Sequence, residues 1–204
     1  LGTVGDPSLQ FTGDVNTGIY SPSADRVNVA HGGIGTTLGG ILDRDVVTAD
    51  VVNTVTETTV YTFSVPASTL STNRALRLTL IGDYLNNTGA TSALTIRVKY
   101  GGVVIATNPA LSVGISPNRR SLSIRVMLSA NNATNAQVSG GDIVLGPIDT
   151  AVGTFNTGAT NWVGVHNAVA VDSTLAQTLE ATIQHGTADA NISGRALAVQ
   201  VELL

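Results

Sequence analysis

From Glu57 to the end of the chain, apolar and polar residues alternate with a period of two. Successive side chains of a β-strand point to opposite faces of the sheet, so this pattern predicts strands that bury one face. The alternation is clearest over 59–65, 76–81, 94–100 and 122–128. Further strands are expected over 103–106 and over about 135–148, 161–171, 174–185 and 193–203. Eight or nine strands without intervening helices favour an antiparallel β-sandwich, similar to a jelly roll.

The gaps between these strands contain residues that favour turns. Gly101 and Gly102 separate two apolar runs, which predicts a hairpin with a two-residue turn. Asn, Gly, Ser and Pro, which are common in turns, fill the other gaps. These gaps are 86–89, 116–118, 131–132, 140–142, 156–158 and Gly186. Residues 56–204 are therefore expected to form one β-sandwich head domain.

The first 40 residues differ from the rest because glycine breaks them into short β pieces. Leu9 and Phe11 alternate with polar neighbours, and Val27 and Val29 do so again. These few large side chains do not offset an ordering cost of about 1–2 kcal/mol per residue. The regular alternation still indicates strands, so we expect partner chains to stabilise a neck over 1–40. Residues 41–55 combine partial helical spacing with many Val and Thr residues, and are expected to be an extended connector.

One stretch of the neck carries a motif. Residues 11–22 read Phe-Thr-Gly-Asp-Val-Asn-Thr-Gly-Ile-Tyr-Ser-Pro, and Val-Asn-Val at 27–29 and Gly-Gly at 32–33 follow. Together, residues 8–33 resemble the short repeat of tailed-bacteriophage tail fibres. That repeat commonly has a Phe-Ser-Gly-Asp core, an Asp/Asn-Thr-Gly step, a Met/Ile-Tyr pair, and then an alternating strand and a glycine.

The resemblance implies an assembly and a place of action. It implies a homotrimer in which two further copies of the chain intertwine with the first in the neck, and a jelly-roll-like head that attaches to the host. The implied partners are host cell-surface polysaccharide or lipopolysaccharide and other tail proteins. The implied location is the tail fibre of the virion, which acts outside the cell.

The composition of the chain mainly excludes certain partners and kinds of site. Charged residues make up 12 % of the chain, against about 25 % in an average domain, and the net charge is −4. Lys99 is the only lysine and no basic run occurs, so nucleic acid is not an expected partner. The absence of cysteine excludes disulfides and cysteine-ligated zinc. Apolar runs such as 168–171 are far shorter than the roughly 20 residues of a membrane span, so no membrane insertion is expected.

Three arginines lie at the centres of three predicted strands. Arg77, Arg97 and Arg125 each have the parity opposite to the apolar residues of their strand. If the strands are neighbours in one sheet, three guanidiniums share one face and offer paired donors to carboxylates or acidic sugars. The alternatives are a solvated sheet face with Asp or Glu partners, and a trimer interface.

Trp162 marks a first candidate sugar-binding loop. It is the only tryptophan, and it follows a polar loop that contains Asn156 and Asn161. Sugars stack their C–H faces on exposed aromatic rings, and amide side chains bind their hydroxyls. Loops on a rigid sandwich often carry binding residues. The alternative is that Trp162 begins a strand and anchors the core.

A second candidate sugar-binding loop surrounds Tyr84. Asp83, Asn86 and Asn87 accompany the aromatic ring, so this segment offers the same combination of a stacking surface and polar groups. The alternative is that Asn86 and Asn87 only form a turn.

Metal and catalytic motifs are absent from the sequence. His31, His166 and His185 have no histidine partner at i+2 or i+4, although a threefold axis could join copies of His31 in the neck. Neither a Gly-x-Ser-x-Gly elbow nor a phosphate-binding loop occurs. No cofactor and no resident metal are therefore expected. Host-glycan attachment is the first functional hypothesis, a structural trimerisation or spacer module is the second, and a glycan-modifying enzyme is the third.

Overall fold

The computed structural model describes residues 3, 5–11, 13–21, 28–31, 34–37, 40–108, 110–147 and 160–204. All regular elements in these ranges are β-strands. Contacts between residues divide the chain into two units, Leu1–Gly40 and Ile41–Leu204. The described part of the chain contains no helix that is long and apolar enough to cross a membrane.

The first unit is a four-stranded antiparallel meander. Its strands are β1 (Leu9–Phe11), β2 (Asp14–Tyr20), β3 (Asn28–His31) and β4 (Ile34–Thr37), paired in chain order. Gly18 is required in β2 because a Cβ there would lie 1.9 Å from the carbonyl oxygen of Leu9. Tyr20 and Ala30 are buried. Among the described side chains of this unit, Leu9 (64 %), Val15 (65 %) and Ile19 (42 %) are exposed.

The second unit contains the remaining strands of the described residues. They are β5 (Gly40–Asp45), β6 (Ala49–Val52), β7 (Thr58–Val65), β8 (Ala75–Asn86), β9 (Ser92–Tyr100), β10 (Val103–Thr107), β11 (Leu111–Val113), β12 (Ser116–Ala133), β13 (Ala136–Leu145), β14 (Thr160–Val169), β15 (Gln177–His185) and β16 (Ile192–Leu203). Every pairing whose register is described is antiparallel.

These strands form two sheets. The seven-stranded sheet has the order β14-β13-β12-β8-β16-β5, with β6 also paired to β16. The five-stranded sheet has the order β10-β9-β15-β7, with β11 also paired to β9. Four pairs are nested along the chain, β9 with β10, β8 with β12, β7 with β15 and β5 with β16, and successive pairs lie in opposite sheets. A long hairpin rolled up in this way has the strand order of a jelly roll.

The hairpin of β13 and β14 is an addition to that eight-stranded plan. It follows β12 along the chain and extends the seven-stranded sheet beyond it. The eight nested strands are called the jelly-roll body below, and β13 with β14 is called the added hairpin.

Alternate side chains of the two sheets meet in one hydrophobic core. Burial alternates strictly along β8 and β9, so that Leu78 and Leu80 of one sheet and Ile96 and Val98 of the other are buried. Side chains of successive residues leave a strand on opposite faces, which is why this alternation follows the polar–apolar pattern of the sequence. The predicted all-β, antiparallel sandwich is therefore confirmed.

Two predicted details differ in outcome. Gly101 and Gly102 join β9 to β10 with φ of +55° and +78°, which confirms the two-residue glycine hairpin. In contrast, 116–118 and 131–132 do not end strands, because β12 extends over both segments while it pairs with β8 and β13. Residues 41–55 were expected to be an extended connector. They contain β5 and β6 instead, and both strands pair with β16 as part of the seven-stranded sheet.

Candidate functional site

A groove of about 630 Å³ opens along the side of the sandwich where the two sheets end. One wall is β10, the last strand of the five-stranded sheet, through residues 104–107. The other wall is the added hairpin, through residues 141–143 and 161–166. The buried Ser139 connects the walls, since its hydroxyl donates a hydrogen bond of 2.7 Å to the carbonyl oxygen of Ile105. The groove thus lies between the jelly-roll body and the added hairpin.

Trp162 lies in this groove because of the register of the added hairpin. It pairs with the buried Ile143, and paired residues of antiparallel strands point to the same face of a sheet. β14 is the last strand of its sheet, so the indole packs only partly against the core and also lines the groove. A partly accessible indole offers an apolar surface together with an N–H donor. Such a surface suits the C–H face of a sugar ring.

Two glycines leave space beside Trp162. Gly141 and Gly164 pair with each other across β13 and β14. A Cβ on Gly164 would meet no atom within 4 Å, so this part of the groove is open because the residue has no side chain. A Cβ on Gly141 would instead lie 2.0 Å from the carbonyl oxygen of Arg125 on β12. The predicted turn at 140–142 is wrong, because glycine here allows two strands to approach each other within the sheet.

Polar residues line the same groove, and the register of the added hairpin decides which of them face Trp162. His166 pairs with the buried Ser139, so its side chain shares the face of Trp162, and Thr107 of β10 lies in the opposite wall. Asp142 and Asn161 also line the groove, but they have the opposite parity and their side chains leave the hairpin on its other face. An imidazole and a hydroxyl can both donate and accept hydrogen bonds, so His166 and Thr107 suit a ligand rich in hydroxyl groups. Asn156, the other predicted residue of this loop, lies outside the described residues. Within the described ranges, no three His, Asp or Glu side chains are grouped as a metal ion requires.

Sequence reasoning identified Trp162 and Asn161 but missed Asp142, His166 and the β10 wall. These residues are far apart along the chain, and only the pairing of β13 with β14 and the approach of β10 bring them together.

The second predicted loop is not a loop. Residues 83–86 are the end of β8, because the alternation of that strand continues through Gly82 to Asn86. Tyr84 is 0 % exposed between the sheets, and burial raises its pKa to about 12. Its hydroxyl lies 3.3 Å from Nδ1 of His185, on the opposite sheet. The prediction that Tyr84 stacks on a sugar is therefore wrong.

The polar residues around that tyrosine are engaged by the fold. Asp83 accepts hydrogen bonds from Arg119 at 2.6 Å and from Arg195 at 2.8 Å. Asn86 is buried, and its amide group donates to two backbone carbonyl oxygens at 2.9 and 3.1 Å. Ligand roles for Asp83 and Asn86 are accordingly contradicted, whereas Asn87 is exposed and available.

The three predicted arginines do not share one face. Arg97 lies on β9 of the five-stranded sheet, whereas Arg77 and Arg125 lie on β8 and β12 of the seven-stranded sheet. Nη1 of Arg97 is 2.9 Å from Oε2 of Glu57, and Nζ of Lys99 is 2.5 Å from Oε1. The hydrogen bond from Lys99 is the main cause of a lowered pKa for Glu57. Arg97 therefore matches the alternative of a solvated sheet face with an acidic partner.

Arg77 and Arg125 are diagonal neighbours on adjacent strands. Arg125 pairs with Thr79, which is two residues from Arg77 on β8. Nη2 of Arg77 lies 2.5 Å from Oε2 of Glu202 on β16. Arg44 of β5 joins the two arginines in the lining of a second hollow. Arg44 was not among the predicted site residues, because it falls in the segment expected to be a connector.

No protein-family model and no curated protein matches the chain. Among solved structures, the chain is similar to the CBM2 module of the evolved Dit of Lactobacillus casei BL23 phage J-1, with 10 % identity and a TM-score of 0.35 over 69 % of this chain and 67 % of that one. It is also similar to the VP2 subviral particle of infectious bursal disease virus, with 10 % identity and a TM-score of 0.29 over 94 % and 52 %. T=1 particles derived from infectious bursal virus give 11 % identity and a TM-score of 0.28 over 90 % and 47 %. The chain spans about half the length of these two viral chains.

Proposed function

We propose that this chain is part of a bacteriophage tail fibre and that its sandwich binds a host-surface glycan in the groove beside Trp162. The observation that carries the proposal is a partly exposed indole in a groove of about 630 Å³, with His166 on the same face and Thr107 on the opposite wall. The virion location rests on residues 8–33, which resemble the tail-fibre repeat.

Binding in this groove combines stacking with hydrogen bonding. One sugar ring lies against the indole, in the space that Gly164 leaves open. The imidazole of His166, which shares the face of Trp162, and the hydroxyl of Thr107 on the opposite wall bind hydroxyl groups of the ring or of its neighbours. Three such sites on one trimer raise the avidity for a polymeric glycan without any additional contact at each site.

The trimer is proposed from the first unit. Leu9, Val15 and Ile19 are exposed there, and covering them with two further chains removes apolar surface from water. Light scattering on the full chain should give three times the 20.8 kDa mass of one chain. A monomer in that measurement would contradict the trimer.

The groove is tested by two substitutions of one residue. Trp162→Ala should lower binding to a positive spot on a glycan array roughly tenfold or more, because a partly buried aromatic residue is a typical binding hot spot. Trp162→Phe keeps an aromatic surface and should lose less. Leu175→Ala, which removes an exposed apolar side chain outside the groove, is the control. Unchanged binding by folded Trp162→Ala would refute the site.

A structural module remains the second candidate, and one observation favours it. The seven-stranded sheet exposes large apolar side chains on strands β8, β12 and β14. These are Ile81 (56 %), Met127 (47 %), Val163 (76 %) and Val165 (82 %). A contact of this sheet face with another protein would cover these side chains and remove apolar surface from water. A trimer that binds no glycan on the array, although several trimers are displayed on one particle, would favour this candidate over attachment.

A further inference from the structure

A second hollow, of about 520 Å³, lies on the seven-stranded sheet and shares no lining residue with the groove. Four adjacent strands build it, in the order β12, β8, β16 and β5. Arg125, Arg77 and Arg44 bring guanidiniums into it from β12, β8 and β5. The rest of its lining is partly apolar and partly neutral, with Ile81, Ala198, Val199, Thr79 and Gln200.

The positive charges in this hollow exceed its negative charges. Glu202 is the one carboxylate in the described lining. It is already held, since Nε and Nη2 of Arg77 lie 2.6 and 2.5 Å from its Oε2 and a glutamine amide donates to its Oε1 at 3.0 Å. Among the described residues, neither Arg44 nor Arg125 has an ion pair with a carboxylate, and this includes Asp142, the partner of Arg125 on β13. Two guanidiniums therefore face the hollow without an acidic partner in this part of the chain.

We propose that this hollow binds a sugar residue that carries a carboxylate. Guanidinium groups offer paired N–H donors that match a carboxylate. Ile81 is 56 % exposed and provides an apolar surface for the C–H face of the ring, while Thr79, which also lines the hollow, offers a hydroxyl group to the sugar hydroxyls. The contact of Arg77 with Glu202 already places one carboxylate against one guanidinium in this hollow. Because the hollow is separate from the groove, either proposal can fail without the other.

The charge of the ligand is tested with a matched pair of probes. Tetragalacturonate and its methyl ester have the same rings, but the ester lacks the negative charges. Calorimetric titration of the full chain should show binding of the acid and at least roughly tenfold weaker binding of the ester. The affinity for the acid should fall as NaCl is raised from about 0.05 to about 0.5 M, since partly exposed charges are screened by salt.

The position of the site is tested with charge-matched variants. Arg125→Gln and Arg44→Gln should each weaken binding of tetragalacturonate roughly tenfold to a hundredfold, as expected for a charged hydrogen bond. Arg97→Gln removes the same charge from the other sheet and should change nothing. Leu175→Ala, which removes an exposed side chain outside both the hollow and the groove, should also leave this affinity unchanged.

Four results would overturn the inference. They are the absence of binding to tetragalacturonate, equal binding of acid and ester, unchanged affinity in Arg125→Gln, and tighter binding of inorganic phosphate than of the uronate. The last result would assign the hollow to phosphate groups instead. Circular dichroism of each variant confirms that the sandwich is folded, and both substituted arginines are exposed, so folding should be retained.

Discussion

The jelly-roll body and the added hairpin use similar residues in different ways. In the body, the carboxylate of Asp83 is engaged by two arginines, and the buried amide of Asn86 donates to backbone carbonyl oxygens. In the added hairpin, Trp162 is only partly covered, and Val163 and Val165 are 76 % and 82 % exposed. Polar and aromatic residues that look equally suited to ligand binding in the sequence are therefore engaged by the fold in the body and exposed to solvent in the added hairpin.

The cause of the difference is the number of neighbours that each strand has. β8 lies between β12 and β16, so its side chains contact neighbouring strands on both sides and one whole face is covered by the other sheet. β14 is the last strand of its sheet and pairs with β13 alone among the described strands. Terminal strands retain free surface, and binding residues tend to collect on such peripheral elements of a rigid scaffold.

The largest expected effect is a loss of stability in the body. Leu80 is fully buried in β8, and Leu80→Ala should lower the free energy of unfolding by about 2–5 kcal/mol, because it removes buried methyl groups and leaves a cavity. Denaturant unfolding measures this change. Glycan binding per folded molecule should not change, since Leu80 is not among the residues that line the groove. A loss of binding without loss of stability would contradict the separation of the two regions.

A smaller loss is expected from the buried amide of the body. Asn86→Ala should cost about 1–3 kcal/mol of unfolding free energy, because carbonyl oxygens that accept from it are left without a donor. Asn87→Ala, one residue further and exposed, is the matched control and should stay within about 0.5 kcal/mol. Equal stabilities of the two variants would contradict the structural role of the Asn86 amide.

A pH effect should come from the histidine that joins the sheets of the body. Burial lowers the pKa of His185, in spite of the hydrogen bond between Nε2 and the carbonyl oxygen of Val51 at 2.9 Å. The unfolded chain therefore binds a proton more readily than the folded one, and stability should decrease as the pH falls below about 6.5. His185→Gln should flatten this part of the curve of unfolding free energy against pH. Parallel curves for the variant and the parent chain would rule out His185 as the source.

The fold is predictable from the sequence wherever strands alternate regularly. β8, β9 and the glycine turn at 101–102 follow directly from their residues, since polar and apolar positions match one solvated and one buried face. The segment 41–55 was harder, because β5 and β6 are short and their pairing partner, β16, lies at the other end of the chain. Long-range pairing of this kind leaves little trace in local sequence.

The candidate sites were likewise predictable only where they depend on neighbouring residues in the sequence. Trp162 was recognisable because a lone tryptophan beside a polar loop is a local feature. Tyr84 had a similar local setting, and only the path of β8 between two neighbours shows that it is buried. Arg44 and Arg125 lie near each other only because of the order of four strands in the sheet. The alternation of residues within one strand carries no information about that order.

The smallest change in stability is expected at one of two glycines that pair with each other across the added hairpin, Gly164 and Gly141. Gly164→Val places a side chain where a Cβ meets no atom within 4 Å, so the unfolding free energy should change by about 0.5 kcal/mol or less. The same side chain fills the space beside Trp162 and should abolish glycan binding. Gly141→Val forces a Cβ to within 2.0 Å of the carbonyl oxygen of Arg125 and should destabilise the sheet. If Gly164→Val binds glycan as well as the parent chain, the ligand does not occupy the groove, and the added hairpin is an extension of the sheet rather than a binding element.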